Sequence, residues 1–292
     1  MTLTLCPRGR LLVTGLLLLA ACMATSVVAI AENGTETIAE TSAETIADDQ
    51  CAVIGPDQTV TKDGLLYEVD KELPFTGKTV IQYSDGQKAQ EFTYKDGKQH
   101  GKVTAWYENG QLKAEISFKD GKPDGPVTSW HKNGETHSKD TFKNGKLVGK
   151  TTRWYENGQK SAEANYQDGK LDGKQPTWHK NGQLKGDSTY KDGKQQGKAT
   201  SWYESGQKSA EANYQDGKRD GTQTTWHKNG QKSAEANYQD GKLDGKQTTW
   251  HENGQKKREV TYKDGGIFTE TNWDKNGKEI PATNKYPGQK VT

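Results

Sequence analysis

The chain has 292 residues, 29% hydrophobic and 27% charged, with a net charge of +2. That is too little apolar material for an ordinary two-layer domain of this length. Basic residues are mixed with acids throughout, which argues against a dedicated nucleic-acid binder.

The first ten residues, MTLTLCPRGR, carry Arg8 and Arg10 and no acid, and an apolar run follows from Leu11 to Ala21. A basic start, a short apolar core and a small-residue exit predict a secretory signal over 1–21, too short for a comfortable membrane span. The exit Leu19-Ala20-Ala21-Cys22 resembles a bacterial lipobox, which implies cleavage before Cys22 and lipid on that cysteine. Ala29-Ile30-Ala31 offers a second exit that would discard Cys22. Cys6 lies in the signal, so Cys51 is left without an internal disulfide partner. Residues 32–50 hold six acids, no base and no aromatic residue, and read together with Cys22 as a disordered, lipid-anchored tether over 22–50. From residue 51 onward the charge is about +6.

Beyond the tether, a tryptophan returns every 24 residues at Trp106, Trp130, Trp154, Trp178, Trp202, Trp226 and Trp250, and Trp273 closes the series one residue early. A fixed period of this length marks a repeat array. Each unit contains two turn signals, Asp-Gly or Asn-Gly before Lys (Asp96-Gly97, Asn144-Gly145) and Asn-Gly before Gln or Glu (Asn109-Gly110, Asn133-Gly134). These pairs tolerate the left-handed backbone that tight hairpins need. The stretches between them suit one strand each. The fold expected is all-β: an elongated antiparallel β-meander strip of tandem 24-residue hairpin repeats. A degenerate capping repeat spans 51–93, the array 94–280 and a C-terminal tail 281–292.

Turn length decides which side chains share a face. A three-residue turn ending in a left-handed glycine puts Trp106 opposite Leu112 and predicts that Ala114, Ile116 and Phe118 join it. In later copies the same face would collect Trp154, Lys160, Ala162, Ala164 and Tyr166. The eight tryptophans are therefore expected as the core of the strip. Stability would be a sum over neighbouring units.

The pattern Tyr-x-Asp-Gly-Lys-x-x-Gly, then Trp-Tyr-x-Asn-Gly-Gln, led in by PFTGK at 74–78, resembles the MORN-repeat variant found in bacterial YwqK-type antitoxins. The resemblance covers residues 63–280. It implies a β-hairpin strip serving as a protein-binding or membrane-proximal scaffold, and the antitoxin label implies binding and neutralising a target.

Histidine follows tryptophan at His131, His179, His227 and His251, where Tyr107, Tyr155 and Tyr203 stand in other units. Two units separate most of these histidines, far beyond the reach of one metal ion. Acids such as Glu163, Glu211 and Glu235 repeat along an open strip and form no carboxylate pair in a cleft. Nucleotide-binding, calcium-binding and serine-hydrolase motifs are absent from the sequence. The chain is expected to be non-catalytic, without cofactor or metal, exported, anchored at the cell envelope through Cys22, and engaged with a protein partner. Toxin neutralisation and carbohydrate or cell-wall binding are the alternatives, and the strip's edges offer a route to self-association.

Overall fold

The computed structural model describes residues 52–263 and 266–281. The expected signal, Cys22 as the expected lipid site, Cys51, the expected tether and nearly all of the C-terminal tail lie outside the described residues. What is described belongs to one compact unit, Asp49–Thr292.

Each repeat closes with two different turns, and the chemistry of each pair decides which. At Asp96-Gly97 both residues have positive φ, 49° and 76°, and Lys95 pairs with Lys98. This is the two-residue type I′ turn, whose twist matches the flanking strands. At Asn109-Gly110 only the glycine is left-handed, at φ 79°. There the Gly110 amide donates to the Tyr107 carbonyl and the Tyr107 amide to the Gln111 carbonyl. That is a type I turn with a glycine bulge, the three-residue loop expected. Alternation of the two turns strings the strands into an antiparallel meander from Gly77–Gln82 to Glu279–Ile280.

A second bulge changes which side chains meet. Trp106 faces Leu112, as the three-residue turn requires, but Ala105 then pairs with Ala114, so Lys113 is passed over. The same slip recurs at Arg153/Trp154, Ser201/Trp202, Thr225/Trp226 and Thr249/Trp250. Side chains alternate faces along a strand, so this extra residue moves tryptophan to the face opposite the one anticipated. Ala114, Ile116 and Phe118 share their face with Ala105, Val103 and Gly101. Tryptophan instead joins threonine, lysine and glutamate, as in Trp202, Thr200, Lys198 and Glu211.

The inner face is the apolar one. Phe75, Phe92, Val103, Ala105, Ala114, Ile116, Phe118 and Val127 are buried near its N-terminal end, and only Ala164, Ala212, Ala236 and Val260 beyond. The core thins along the chain from aromatic and branched residues to alanine. Gly101, at φ 88°, bends the strand after the type I′ turn, while the His100 amide bonds back to the Thr93 carbonyl. At the equivalent Gly125 a Cβ would stand 3.1 Å from Ser117 Cβ, so a side chain there would crowd the neighbouring strand.

The N-terminal cap is composite. Ala52–Ile54 adds in parallel to Gly77–Gln82, and Thr59–Lys62 and Leu65–Glu68 form a separate hairpin. The Leu66 amide donates to the Gly97 carbonyl, and the Gly97 amide to that of Phe75, locking this hairpin onto the first repeat turn.

Candidate functional site

The residues that recur with the repeat are joined into ladders running from unit to unit. The Tyr or His that follows a tryptophan, and Tyr83 after Gln82, reaches the carbonyl of the next tryptophan. Tyr83 donates to Trp106 at 2.7 Å, Tyr107 to Trp130 at 2.8 Å, Tyr155 to Trp178 at 2.8 Å and Tyr203 to Trp226 at 2.6 Å. His131, His179, His227 and His251 make the same bond through Nε2, at 2.9 to 3.1 Å. A carbonyl only accepts, so each of these imidazoles carries its proton on Nε2. The Tyr/His exchange conserves one donor at one reach.

Asparagine makes a second ladder on the three-residue turns. Asn157 Oδ1 accepts from the Gln159 amide at 3.1 Å, closing its own turn, while Nδ2 donates to the Lys180 carbonyl of the next turn at 2.8 Å. Asn133, Asn181, Asn229 and Asn253 do the same. An aspartate could close the turn but could not donate onward. At the type I′ turns the bond between units is made by backbone and runs to the preceding unit: the amides of Gly121, Gly169 and Gly217 donate to the carbonyls of Gln99, Leu147 and Gln195 at 2.8 to 2.9 Å. Aspartate suffices there, and Asp96, Asp120, Asp168, Asp192, Asp216 and Asp240 occupy those turns.

The outer face carries lysine, glutamate and tryptophan. Glu163 sits between Lys150 at 3.0 Å and Lys160 at 2.7 Å, Glu211 between Lys198 and Lys208, and Glu259 between Lys246 and Lys256. Burial raises the pKa of Glu163, but its two lysines outweigh that and hold the carboxyl below the usual 4.5. Hydrogen bonds from their flanking lysines hold Glu211 and Glu259 low as well. The lysine of one unit also lies over the tryptophan ring of the next: Lys88 over Trp106, Lys208 over Trp226, Lys232 over Trp250 and Lys256 over Trp273, at 5.6 to 6.0 Å from the centroid. All eight tryptophans are half-buried, and Thr104, Thr152 and Thr248 are buried on the same face.

One junction departs from the pattern. Lys113 and Lys132 both approach the Tyr107 ring, at 5.6 and 5.9 Å, beside a groove of about 360 Å³ that Tyr83, Glu108 and Asn109 also line. The sequence did not mark these as a group, because lysines recur throughout the repeats. No group of three or more His, Cys, Asp or Glu side chains is placed to hold a metal ion among the described residues.

Comparison with known proteins is consistent with this geometry. The family described as the MORN repeat variant matches at residues 99–120, 123–144, 147–168, 171–192, 195–216, 219–240 and 243–264. Each match runs from one type I′ turn to the next, so a match is one hairpin with its three-residue loop. No curated protein matches the chain. With more than half of its length matched by seven tandem copies, the chain belongs to the MORN repeat variant family.

Proposed function

We propose that this protein is a non-catalytic scaffold, exported and held at the cell envelope by lipid on Cys22, whose repeated outer face binds a protein partner. The observation that carries this reading is the use made of the recurring side chains. Tyr, His and Asn are spent on bonds between units, and lysines from the preceding unit lie over tryptophan rings. Half-buried rings, four of them with a lysine ammonium over the face, are a poor platform for stacking sugars, which disfavours the cell-wall alternative. What the ladder leaves facing outward is a stiff, repeated Lys–Glu surface. Repetition of one weak contact on a stiff support raises avidity without any new contact.

The experiment is cross-linking in cells followed by capture of the full chain through a C-terminal tag, with the array intact or lacking residues 161–208. SAEANYQDGK stands at both 161 and 209, so this deletion removes two units in register. The scaffold reading expects one partner captured with both chains and several-fold less with the shortened one. Equal capture, localisation and fitness for the two chains count against it. A captured toxin whose activity the chain abolishes would favour the antitoxin reading carried by the resemblance to YwqK-type repeats. Mass spectrometry of the mature N-terminus tests Cys22: a diacylated cysteine is expected, and a chain beginning after Ala31 contradicts the anchor.

A further inference from the structure

Arg153 stands on the inner face opposite Ser138 and Ala162, and one row of that face holds an acid among apolar and small residues. Residues at 24-residue intervals along it are Phe92, Ile116, Asp140, Ala164, Ser188, Ala212, Ala236 and Val260. Asp140 faces Val127 across the strand pair and is only 9% exposed. Its Oδ1 is buried and finds no hydrogen-bond partner in the protein. A buried ionised carboxylate without a full set of donors is costly.

The surroundings are polar, and Arg153 on the same face favours the ionised carboxylate without outweighing burial. Ser129 and Ser138, both buried, share a hydroxyl bond of 2.8 Å. Ser129 Oγ also meets His137 Nδ1 at 3.0 Å, and the His137 ring stands edge-on to His131 at 4.6 Å. The titratable groups around Asp140 come from three elements. Thr136–Lys143 supplies His137, Gly149–Trp154 supplies Arg153, which pairs with Ser138, and Lys160–Gln167 supplies Tyr166, whose hydroxyl is pushed up by burial and, in smaller part, by Asp140. Lys122–Trp130 presents Val127 and Ser129 here, with His131 just beyond its end. Burial raises the Asp140 carboxyl above the usual 3.8, against the opposing pull of Arg153 and the Ser138 hydroxyl. His137 is held below 6.5, first by burial, then by His131 and Arg153.

We propose that Asp140 makes the contact among Lys122–Trp130, Thr136–Lys143 and Gly149–Trp154 a pH-set joint in the array, firm with the carboxyl protonated and looser with it ionised. Its position gives the joint a consequence. Val127 is the last buried hydrophobic residue larger than alanine before Val260, so the joint divides the well-packed N-terminal segment from the alanine-cored units that follow. Loosening there lets the two segments move as separate parts.

The sign follows from linkage. A carboxyl raised in the folded state stabilises fully below its ordinary 3.8, and that contribution is lost as pH rises through the raised value. His137 acts in the opposite sense: its neutral form is favoured, and stability falls as pH drops from 6.5 through its lowered value. A pH scan of the unaltered chain mixes the two, so the test is a difference between variants.

Hydrogen exchange of the full chain, read by mass spectrometry over 122–154 and corrected for intrinsic rates, is compared for the unaltered protein, Asp140→Asn and Asp140→Ala. Alanine is what the repeat itself carries at 164, 212 and 236, so that variant keeps the fold if the amide does not. Near neutral pH both variants should exchange about tenfold more slowly over 122–154 for each pKa unit by which Asp140 is raised. The gap should close as pH falls toward the ordinary carboxylate range and should persist in a His137→Gln background. Peptides over 208–250 should not change. A gap independent of pH, or an unaltered protein that exchanges more slowly than both variants near neutral pH, overturns the proposal. The second outcome would mean that Arg153 makes the ionised carboxylate a net stabiliser.

Discussion

Tyrosine and histidine share little beyond size and a donor at the tip, and that shared donor explains why either can follow tryptophan. Tyr203 Oη lies 2.6 Å from the Trp226 carbonyl and His227 Nε2 3.0 Å from that of Trp250. Tyr203→Phe keeps the ring and removes the donor, and should cost about 1 kcal/mol in denaturant unfolding. Tyr203→His should cost clearly less. Equal losses for the two would mean the ring, and not the bond, is what the position requires. Asparagine and aspartate separate in the same way. Asn157→Asp removes the donor to Lys180 and sets a carboxylate against a carbonyl oxygen, at a cost of about 1–3 kcal/mol. Asp168→Asn, on a type I′ turn whose bond to the preceding unit is backbone, should stay within about 0.5 kcal/mol.

At the scale of the hairpin, the turns were legible in the sequence and the faces only partly so. Asn-Gly and Asp-Gly pairs announce tight turns because few residues accept positive φ, and the glycine-bulge loop correctly placed Trp106 opposite Leu112. The second bulge had no such signal. The passed-over residue is Lys113, His137, Ser161, Lys185 or Ser209 in successive units, with no shared backbone demand. Without that slip the tryptophans fall on the inner face; with it they join the Lys–Glu pairs. Asp140 was visible as an acid in an otherwise apolar or small row, but its meaning required knowing that the row is buried. Acidification should also act on the outer face. Glu163, Glu211 and Glu259 are held below 4.5, so their pairs contribute fully above that value and are lost as pH falls through the lowered ones. Thermal unfolding at falling pH should show a declining midpoint, and Glu211→Gln should flatten that decline. The lysines are about half exposed, so each pair is worth no more than about 1 kcal/mol.

Across the whole array, stability is carried unevenly. The buried aromatic and branched residues gather between Phe75 and Val127, whereas the later units bury mainly alanine and threonine. Loss of the Phe92 side chain, as Phe92→Ala, should therefore cost about 3–5 kcal/mol. Excising the two units at 161–208 should lower stability modestly and leave one cooperative transition, as expected where each unit contacts only its neighbours. Successive units are bonded turn to turn as well as strand to strand. The amides of Gly121, Gly145, Gly169, Gly193, Gly217 and Gly241 lie at exposed tips yet donate to the preceding unit at 2.7 to 2.9 Å. Residue-resolved native-state hydrogen exchange reads these amides directly. Protection of the six turn glycines at the level of the adjoining strands is the predicted result. Exchange at the rate of a free peptide would contradict it and reduce the array to hairpins joined only through their strands.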